Sequence, residues 1–319
     1  MKNKYHRALV TGGAGFIGSN LIARLLMEGL NVVSIDDYSA GRSENLKEFE
    51  NNPRFFSVKC DVMDYKELKE HFKIHRFDIV FHEAVSRTTV CLKDPKRDLE
   101  INAIGTLNIL NLSKEFKVKK IVHPSTASVY GEAQYIPQDE RHPTNPTSFY
   151  GISKLAGEKY AITFSCLYDM DITVLRYFHV YGPRQDSGKT GGVVAIFCGR
   201  VVRDLPLTIH GDGSQQRGFT YVGDVVNANI LVTLRDDTKG QVYNCASGII
   251  VTVKELATKI LNYSGKDKSY LKTDASTIGD IKKFGVSNKK LTDIGFKIEK
   301  SFDERLKETL NWYKKNERT

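Results

Sequence analysis

Near the middle of the chain, in SFYGISK (148–154), Tyr150 precedes Lys154 by four residues, with Ser153 between them. On a helix, residues at this spacing share one face, so a phenol and an ammonium stand side by side. A free tyrosine, with a pKa of about 10, is a poor base at neutral pH. A neighbouring positive charge favours the phenolate. Lowering the pKa by about three units takes roughly 4 kcal/mol, which the ammonium and a second positive charge, such as that of a bound cofactor, could supply in a dry pocket. Tyr150 then becomes a general base for a sugar or alcohol hydroxyl. Taken alone, the spacing also describes an ordinary surface pair.

The second part of such a site stands near the N-terminus. VTGGAGFIGSN (10–20) sets Gly12, Gly15 and Gly18 between an apolar strand pattern and a helical one. Glycines there let the backbone turn tightly and approach a pyrophosphate, and a helix N-terminus offers unpaired N–H groups. The next strand pattern ends in SIDDYSAG, placing Asp36 where a carboxylate accepts from ribose hydroxyls. It repels a 2′-phosphate, so NAD is favoured over NADP. Asp61, in the CDV that ends the third strand pattern, is positioned to reach the adenine amino group.

Positioning these groups takes a particular scaffold. Residues 7–12, 31–36, 54–62, 77–84, 119–125 and 171–178 read as strands, nearly continuous in apolar residues as strands covered on both faces are. Helical patterns lie between them. In 18–30, Leu21, Ile22, Leu25 and Leu26 share a face and Gly29 is the stop. In 99–116, Leu99, Ile104, Leu107, Leu110 and Leu112 form the apolar stripe. The alternation predicts an α/β fold: a Rossmann-like, doubly wound parallel sheet with right-handed crossovers. After about residue 180 the rhythm breaks at a glycine-rich loop, 181–192, followed by a helix near 193–203 and a final amphipathic helix, 303–316. We therefore expect a dinucleotide-binding domain over 1–180 and a smaller mixed α/β substrate lobe over 181–319, with some segments returning to the first.

Bulk composition narrows the classes. The chain has 319 residues, 40% hydrophobic and 27% charged, and carries a net charge of +9. That is an ordinary globular balance. The excess charge comes from lysines, dense in the C-terminal third and without interleaved arginine and aromatic residues, so nucleic acid is not an expected partner. Cys60, Cys91, Cys166, Cys198 and Cys245 are odd in number and form no CxxC pair, so neither a metal nor a disulfide is expected, and the thiols are read as buried. There is no signal-peptide pattern and no stretch of about 20 apolar residues, so no membrane association and a cytoplasmic location are expected.

TGGAGFIG, HPSTASVYG (123–131), YGISK (150–154), LRYFHVYGPRQ (175–185) and RGFTYVGDVV (217–226) follow in the order found in the extended short-chain dehydrogenase/reductase family. From about residue 5 to the last helix the chain resembles that family's NAD-dependent nucleotide-sugar epimerases, of the UDP-glucose 4-epimerase type. The resemblance implies 4-epimerisation of a UDP-hexose (UDP-glucose or UDP-galactose) through a transient 4-keto sugar, in a homodimer built on helices around 96–115 and 150–168. It implies Thr126 bonding the sugar 4-oxygen, Tyr150 as base, and Lys154 also holding the nicotinamide ribose. Phe16, Ile17, Asp37 and Val62 then line the cofactor, with Glu83, Ala84, Asn102, Ser125 and Phe178. Arg217 clamps the substrate diphosphate, as a guanidinium fork suits, and Thr208 and His210 hold the uracil.

Other members of the family run different chemistry, and single residues separate them. Related 4,6-dehydratases carry an acid just after the threonine; here Ala127 and Ser128 supply neither acid nor base. UDP-glucuronate decarboxylases resemble YDEGK where this chain has YGISK. Three departures mark the substrate side. His179 stands where asparagine is usual. Thr277 replaces an arginine three residues before Asp280, leaving Lys189 or Lys272 to contact the diphosphate. The segment 82–95 is one residue shorter than the common form, has Val85 where alanine or glycine is usual, and carries Arg87, which faces either a ligand or solvent. Phe284 aligns with the position that gates N-acetylated sugars, and its bulk favours the plain hexoses. The alternatives are epimerisation of a UDP-N-acetylhexosamine or UDP-hexuronate, a related dehydratase or reductase, and a non-catalytic dinucleotide sensor. The intact Thr126, Tyr150 and Lys154 weigh against the sensor.

Overall fold

The computed structural model describes residues 1, 3–86, 88–188, 191–275 and 285–317. In chain order the elements are β1 (Arg7–Thr11), α1 (Phe16–Met27), β2 (Asn31–Asp36), β3 (Phe55–Lys59), α2 (Tyr65–His75), β4 (Ile79–His82), α3 (Thr88–Cys91) and α4 (Pro95–Leu99). A π-helical turn, Glu100–Gly105, leads into α5 (Thr106–Glu115), then β5 (Lys120–Thr126), α6 (Phe149–Tyr168) and β6 (Ile172–Tyr177). The remainder is β7 (Val180–Tyr181), α7 (Val193–Val202), β8 (Leu207–His210), β9 (Gln216–Gly218), β10 (Thr220–Tyr221) and α8 (Val222–Leu234). Last come β11 (Val242–Cys245), β12 (Ile250–Thr252), α9 (Val253–Ser264), β13 (Leu271–Asp274), α10 (Lys289–Asp293) and α11 (Phe302–Asn316).

The chain divides into two compact units. The first comprises Met1–Gln134, Glu140–Tyr177 and Val226–Tyr243. Its seven-stranded sheet runs β11-β6-β5-β4-β1-β2-β3, and β1 through β6 pair in parallel. β2, β4, β5 and β6 are buried along nearly their whole length, which explains their unbroken apolar runs. β3, at the edge, has only its first residue buried, and it ends at Lys59, short of the expected 62. The strand order reverses beside β1, where β4 and β2 flank it; in such sheets ligands bind at the carboxyl ends of the strands by that switch point. One core lies among Leu9, Val33, Leu68, Phe72, Ile109 and Leu112.

Residues 100–105 depart from expectation. The π turn inserts extra residues per turn and shifts the phase of the apolar stripe. Leu110 and Leu112 are buried, whereas Leu99 and Ile104 turn outward, 46% and 43% exposed.

The second unit comprises Tyr135–Asp139, Phe178–Val225 and Asn244–Thr319. Its core packs α7, α9 and α11 through Phe197, Leu256, Ile260, Leu306 and Tyr313. None of the five cysteines forms a disulfide; Cys60, Cys91, Cys198 and Cys245 are buried, but Cys166 is exposed on α6, against expectation. Among the described residues no helix is long and apolar enough to cross a membrane.

Candidate active site

Three segments of the first unit converge on Tyr150. Thr126 ends β5, and its hydroxyl accepts from the backbone N–H of Ser128 at 3.2 Å, capping the short turn that follows. Ser148 caps α6, its hydroxyl accepting from Gly151 N–H at 3.1 Å, so Tyr150 lies in the first turn. The Thr126 hydroxyl stands near the Tyr150 phenol and favours its ionised form. Lys154, one turn on, is buried, and its ammonium donates to the Pro124 carbonyl at 2.7 Å. Gly157 lets α6 lie against the π turn: a Cβ there would meet the Asn102 carbonyl oxygen at 2.7 Å.

The expected lowering of the Tyr150 pKa is not produced by these side chains. Burial pushes the phenol up to about 12; the Thr126 hydroxyl opposes this, and Asp98, Cys91 and Glu83 reinforce it. Burial brings Lys154 down to about 8, with Glu83, Glu158 and Asp98 holding it up. Both shifts share one physical origin, the cost of a charge in a site short of water.

Glu83 follows β4 and is buried, which raises its carboxyl to about 7. It accepts from Tyr177 Oη at 2.8 Å, and Tyr177 accepts from Asn229 Nδ2 at 2.8 Å. Ser125 donates to Glu158 Oε2 at 2.6 Å, and Glu158 forms a buried pair with Arg176, whose Nε donates to it at 3.0 Å. Asn102 is wholly engaged: its Nδ2 donates to Asp98 and Ser153, and its Oδ1 accepts from Ser86 N–H at 3.0 Å. Asp98, Glu158, Arg176 and Tyr177 were missed in the sequence. The signal for two was present, since Asp98 precedes Asn102, and Glu158 follows Lys154, at the i,i+4 spacing.

The glycine loop and its surroundings fit a dinucleotide. Gly12 has φ +66°, and a Cβ there would meet the Ala84 nitrogen at 2.7 Å. No side chain caps α1 and no acid sits in its first turn, so its amides remain for an anion. Asp36 is buried, accepting from Ala14 N–H at 2.9 Å and Tyr38 N–H at 2.8 Å. Phe16, Ile17, Asp37 and Ala84 are partly buried and Val62 is buried. Asp61 Oδ1 accepts from Met63 N–H at 2.9 Å and Oδ2 from Arg97 at 2.6 Å, which fixes the carboxylate and leaves lone pairs for a further donor.

The remaining expected residues, Arg87 apart, belong to the second unit. Phe178 is fully buried. His179 is exposed and has φ +37°, a region that asparagine tolerates better than most residues, which gives a physical reason for the usual asparagine. Arg217, on β9, donates to the Gln216 carbonyl at 2.8 Å. Thr208 and His210 lie on β8, beside Lys272 and Asp274 of β13. Arg87, Lys189, Thr277, Asp280 and Phe284 lie outside the described residues.

Residues 8–246 match the family described as NAD dependent epimerase/dehydratase. The UDP-glucose 4-epimerase of Mycolicibacterium smegmatis is 34% identical over 311 residues, covering 97% of this chain and 98% of that protein. The crystal structure of UDP-glucose 4-epimerase with UDP-glucose from Thermotoga maritima superposes with a TM-score of 0.91 at 35% identity, covering 97% and 99% of the two chains. The UDP-N-acetylglucosamine 4-epimerase of Methanobrevibacter ruminantium, in complex with UDP-N-acetylmuramic acid, gives 0.89 at 33% identity, covering 97% and 98%. With a doubly wound sheet, a loop that fits a dinucleotide and relatives aligned end to end, this chain belongs to the NAD dependent epimerase/dehydratase family.

Proposed function

We propose that the protein is an NAD-dependent 4-epimerase of a UDP-hexose, interconverting UDP-glucose and UDP-galactose. The observation that carries this reading is the Thr126–Tyr150 pair beside a buried Lys154, with only Ala127 and Ser128 after the threonine. That set can move one hydroxyl proton. It has no acid beside Thr126 to take a proton from C5 and expel water, so dehydration is disfavoured.

In this reading the first unit carries the cofactor and the second the substrate. The α1 amides hold the pyrophosphate, with Phe16 and Ile17 over it, and Asp36 and Asp37 hold the adenosine ribose. Asp61 and Val62 flank the adenine. Glu83, Ala84, Asn102, Ser125, Lys154 and Phe178 surround the nicotinamide half, Asn102 and Ser125 acting through their protein bonds. Oxidised NAD, when bound, supplies the hydride acceptor for C4 and a positive ring charge that favours phenolate. Tyr150 takes the C4 hydroxyl proton, Thr126 bridges the sugar oxygen and the phenol, and Lys154 keeps positive charge beside both. The 4-keto sugar turns while Arg217 and its neighbours hold the diphosphate. With its other face presented, C4 would take the hydride back from the reduced cofactor, and Tyr150 returns the proton to the 4-oxygen. General acid–base help of this kind is typically worth about 10²–10⁴-fold.

One observation favours a second reading, an N-acetylhexosamine or hexuronate in place of the plain hexose. His179 occupies a left-handed position where the related motif uses asparagine, so the substrate side has been changed at some conformational cost. Proton NMR of the purified protein with UDP-galactose and, separately, UDP-N-acetylgalactosamine tests both. Conversion of the first alone supports the plain hexose. Conversion of the second removes the proposed Phe284 gate, and silence in both refutes the UDP-hexose reading.

We further read the protein as a homodimer. Leu99 and Ile104, with Phe149, Ile152, Tyr160 and Leu167 of α6, expose apolar surface on the two segments expected to pair. Sedimentation equilibrium giving the mass of a single chain at micromolar concentration would refute it.

A further inference from the structure

The turn of α6 that carries Tyr150 and Lys154 is held from behind by a carboxylate that the chemistry above does not use. Asp98, on α4, is fully buried. Its Oδ2 accepts from Ser153 Oγ at 2.6 Å and its Oδ1 from Asn102 Nδ2 at 3.0 Å. Asn102 Nδ2 also lies 2.9 Å from Ser153 Oγ, and Ser153 Oγ lies 3.1 Å from the Tyr150 carbonyl oxygen. Asn102 in turn fixes the Ser86 amide. One carboxylate therefore ties together the loop after β4, the π turn and the start of α6. Ser153 stands between the two reactive residues, and the 4-epimerisation chemistry gives its hydroxyl no role.

Resting on the reading above, we propose that Asp98 is a positioning residue for the Tyr150–Lys154 pair: through Ser153 and Asn102 it sets that turn of α6, and it places a carboxylate behind both groups. The other groups facing Tyr150 are Cys91 of α3, Glu83 after β4, and the Thr126 hydroxyl of β5. Those facing Lys154 are Glu83 and Glu158, with His82 of β4 and His123 of β5 feeling its charge. The three carboxylates all favour the protonated lysine. Burial lowers the Lys154 ammonium and these carboxylates oppose it, leaving it near 8, still charged at neutral pH.

Asp98→Asn tests this, because the amide can donate to Ser153 Oγ and accept from Asn102 while removing the charge. In holoprotein carrying ¹³Cε-lysine, with the Lys154 signal assigned from Lys154→Met, the Lys154 titration midpoint is expected to fall by about half a pH unit or more. Ser153→Ala keeps the carboxylate, so it leaves that midpoint unmoved but lowers kcat several-fold at constant KM. The alkaline limb of kcat/KM in Asp98→Asn moves to lower pH with the lysine. An unchanged lysine midpoint in Asp98→Asn, or an unchanged kcat in Ser153→Ala, overturns the proposal. The lysine titration needs no substrate. A parent protein that converts no nucleotide sugar thus refutes the function proposed above while leaving the Asp98 charge still measurable.

Discussion

The proposed reactive trio of the first unit and the proposed ligand residues of the second are built in opposite ways. Thr126, Lys154 and the groups behind them are buried and bonded within the protein. Arg217 is only partly buried, and His179 and His210 are exposed. A site whose groups are desolvated and pinned before any ligand arrives is organised for one reaction. Partly exposed side chains on short strands and loops can change ligand without disturbing the fold. The contrast explains why one family runs similar proton and hydride chemistry on different nucleotide sugars.

The strongest way to break that contrast is Tyr150→Phe. We expect turnover to fall by about 10²-fold or more, with the amount of NAD retained on gel filtration unchanged. Retained turnover would remove the phenol from the chemistry, and lost NAD would make its role structural.

Arg217→Ala probes the other unit. Loss of a charge-assisted hydrogen bond is typically worth about 1.5–3 kcal/mol, so KM for the nucleotide sugar should rise by roughly 10–100-fold with kcat nearly unchanged. A fall in kcat at constant KM would place Arg217 with the reactive groups and dissolve the contrast.

The smallest expected effect concerns how dry the first unit is. His82 and His123 stack within it, and His82 bridges Thr11 and Thr106, at 2.7 and 3.1 Å. His123 instead carries a buried Nε2 with no hydrogen-bond partner among the described residues. Burial first, then the Lys154 and His82 charges, holds the His123 imidazole well below its ordinary value. The unfolded chain then binds a proton below about pH 6.5 that the native protein does not, so stability falls as pH falls through that window, by up to about 1.4 kcal/mol per unit. His123→Leu removes this, and urea unfolding should show a larger gain at pH 5.5 than at pH 7.5. Equal gains at both would mean that water reaches the ring.

Legibility in the sequence follows the same division. β2 lies over the expected residues 31–36, because an interior strand must be apolar on both faces and β-branched residues mark it. The Gly12 turn and the Tyr150–Lys154 spacing were legible for a similar reason: each is a local requirement of its chemistry. What was not legible depends on tertiary contact. The π turn that exposes Leu99 and Ile104 has no local signature. Nothing local in the sequence marks Asp98 as buried; the packing of α4 against α6 does that. Arg97 took up the Asp61 carboxylate from an element far along the chain. The direction of the Tyr150 shift also escaped sequence reasoning, because spacing reveals the ammonium but not how much water is excluded.

The most direct test of the central claim is to run the conversion of UDP-galactose in D₂O and examine the product by NMR. In 4-epimerisation the hydrogen on C4 leaves and returns as hydride without meeting solvent, and Tyr150 exchanges only the hydroxyl proton. The account therefore expects UDP-glucose with no deuterium on any ring carbon. Deuterium at C5, or a product that has lost water, would contradict it, because it would show a proton being taken from carbon by a group that this reading says the site does not have.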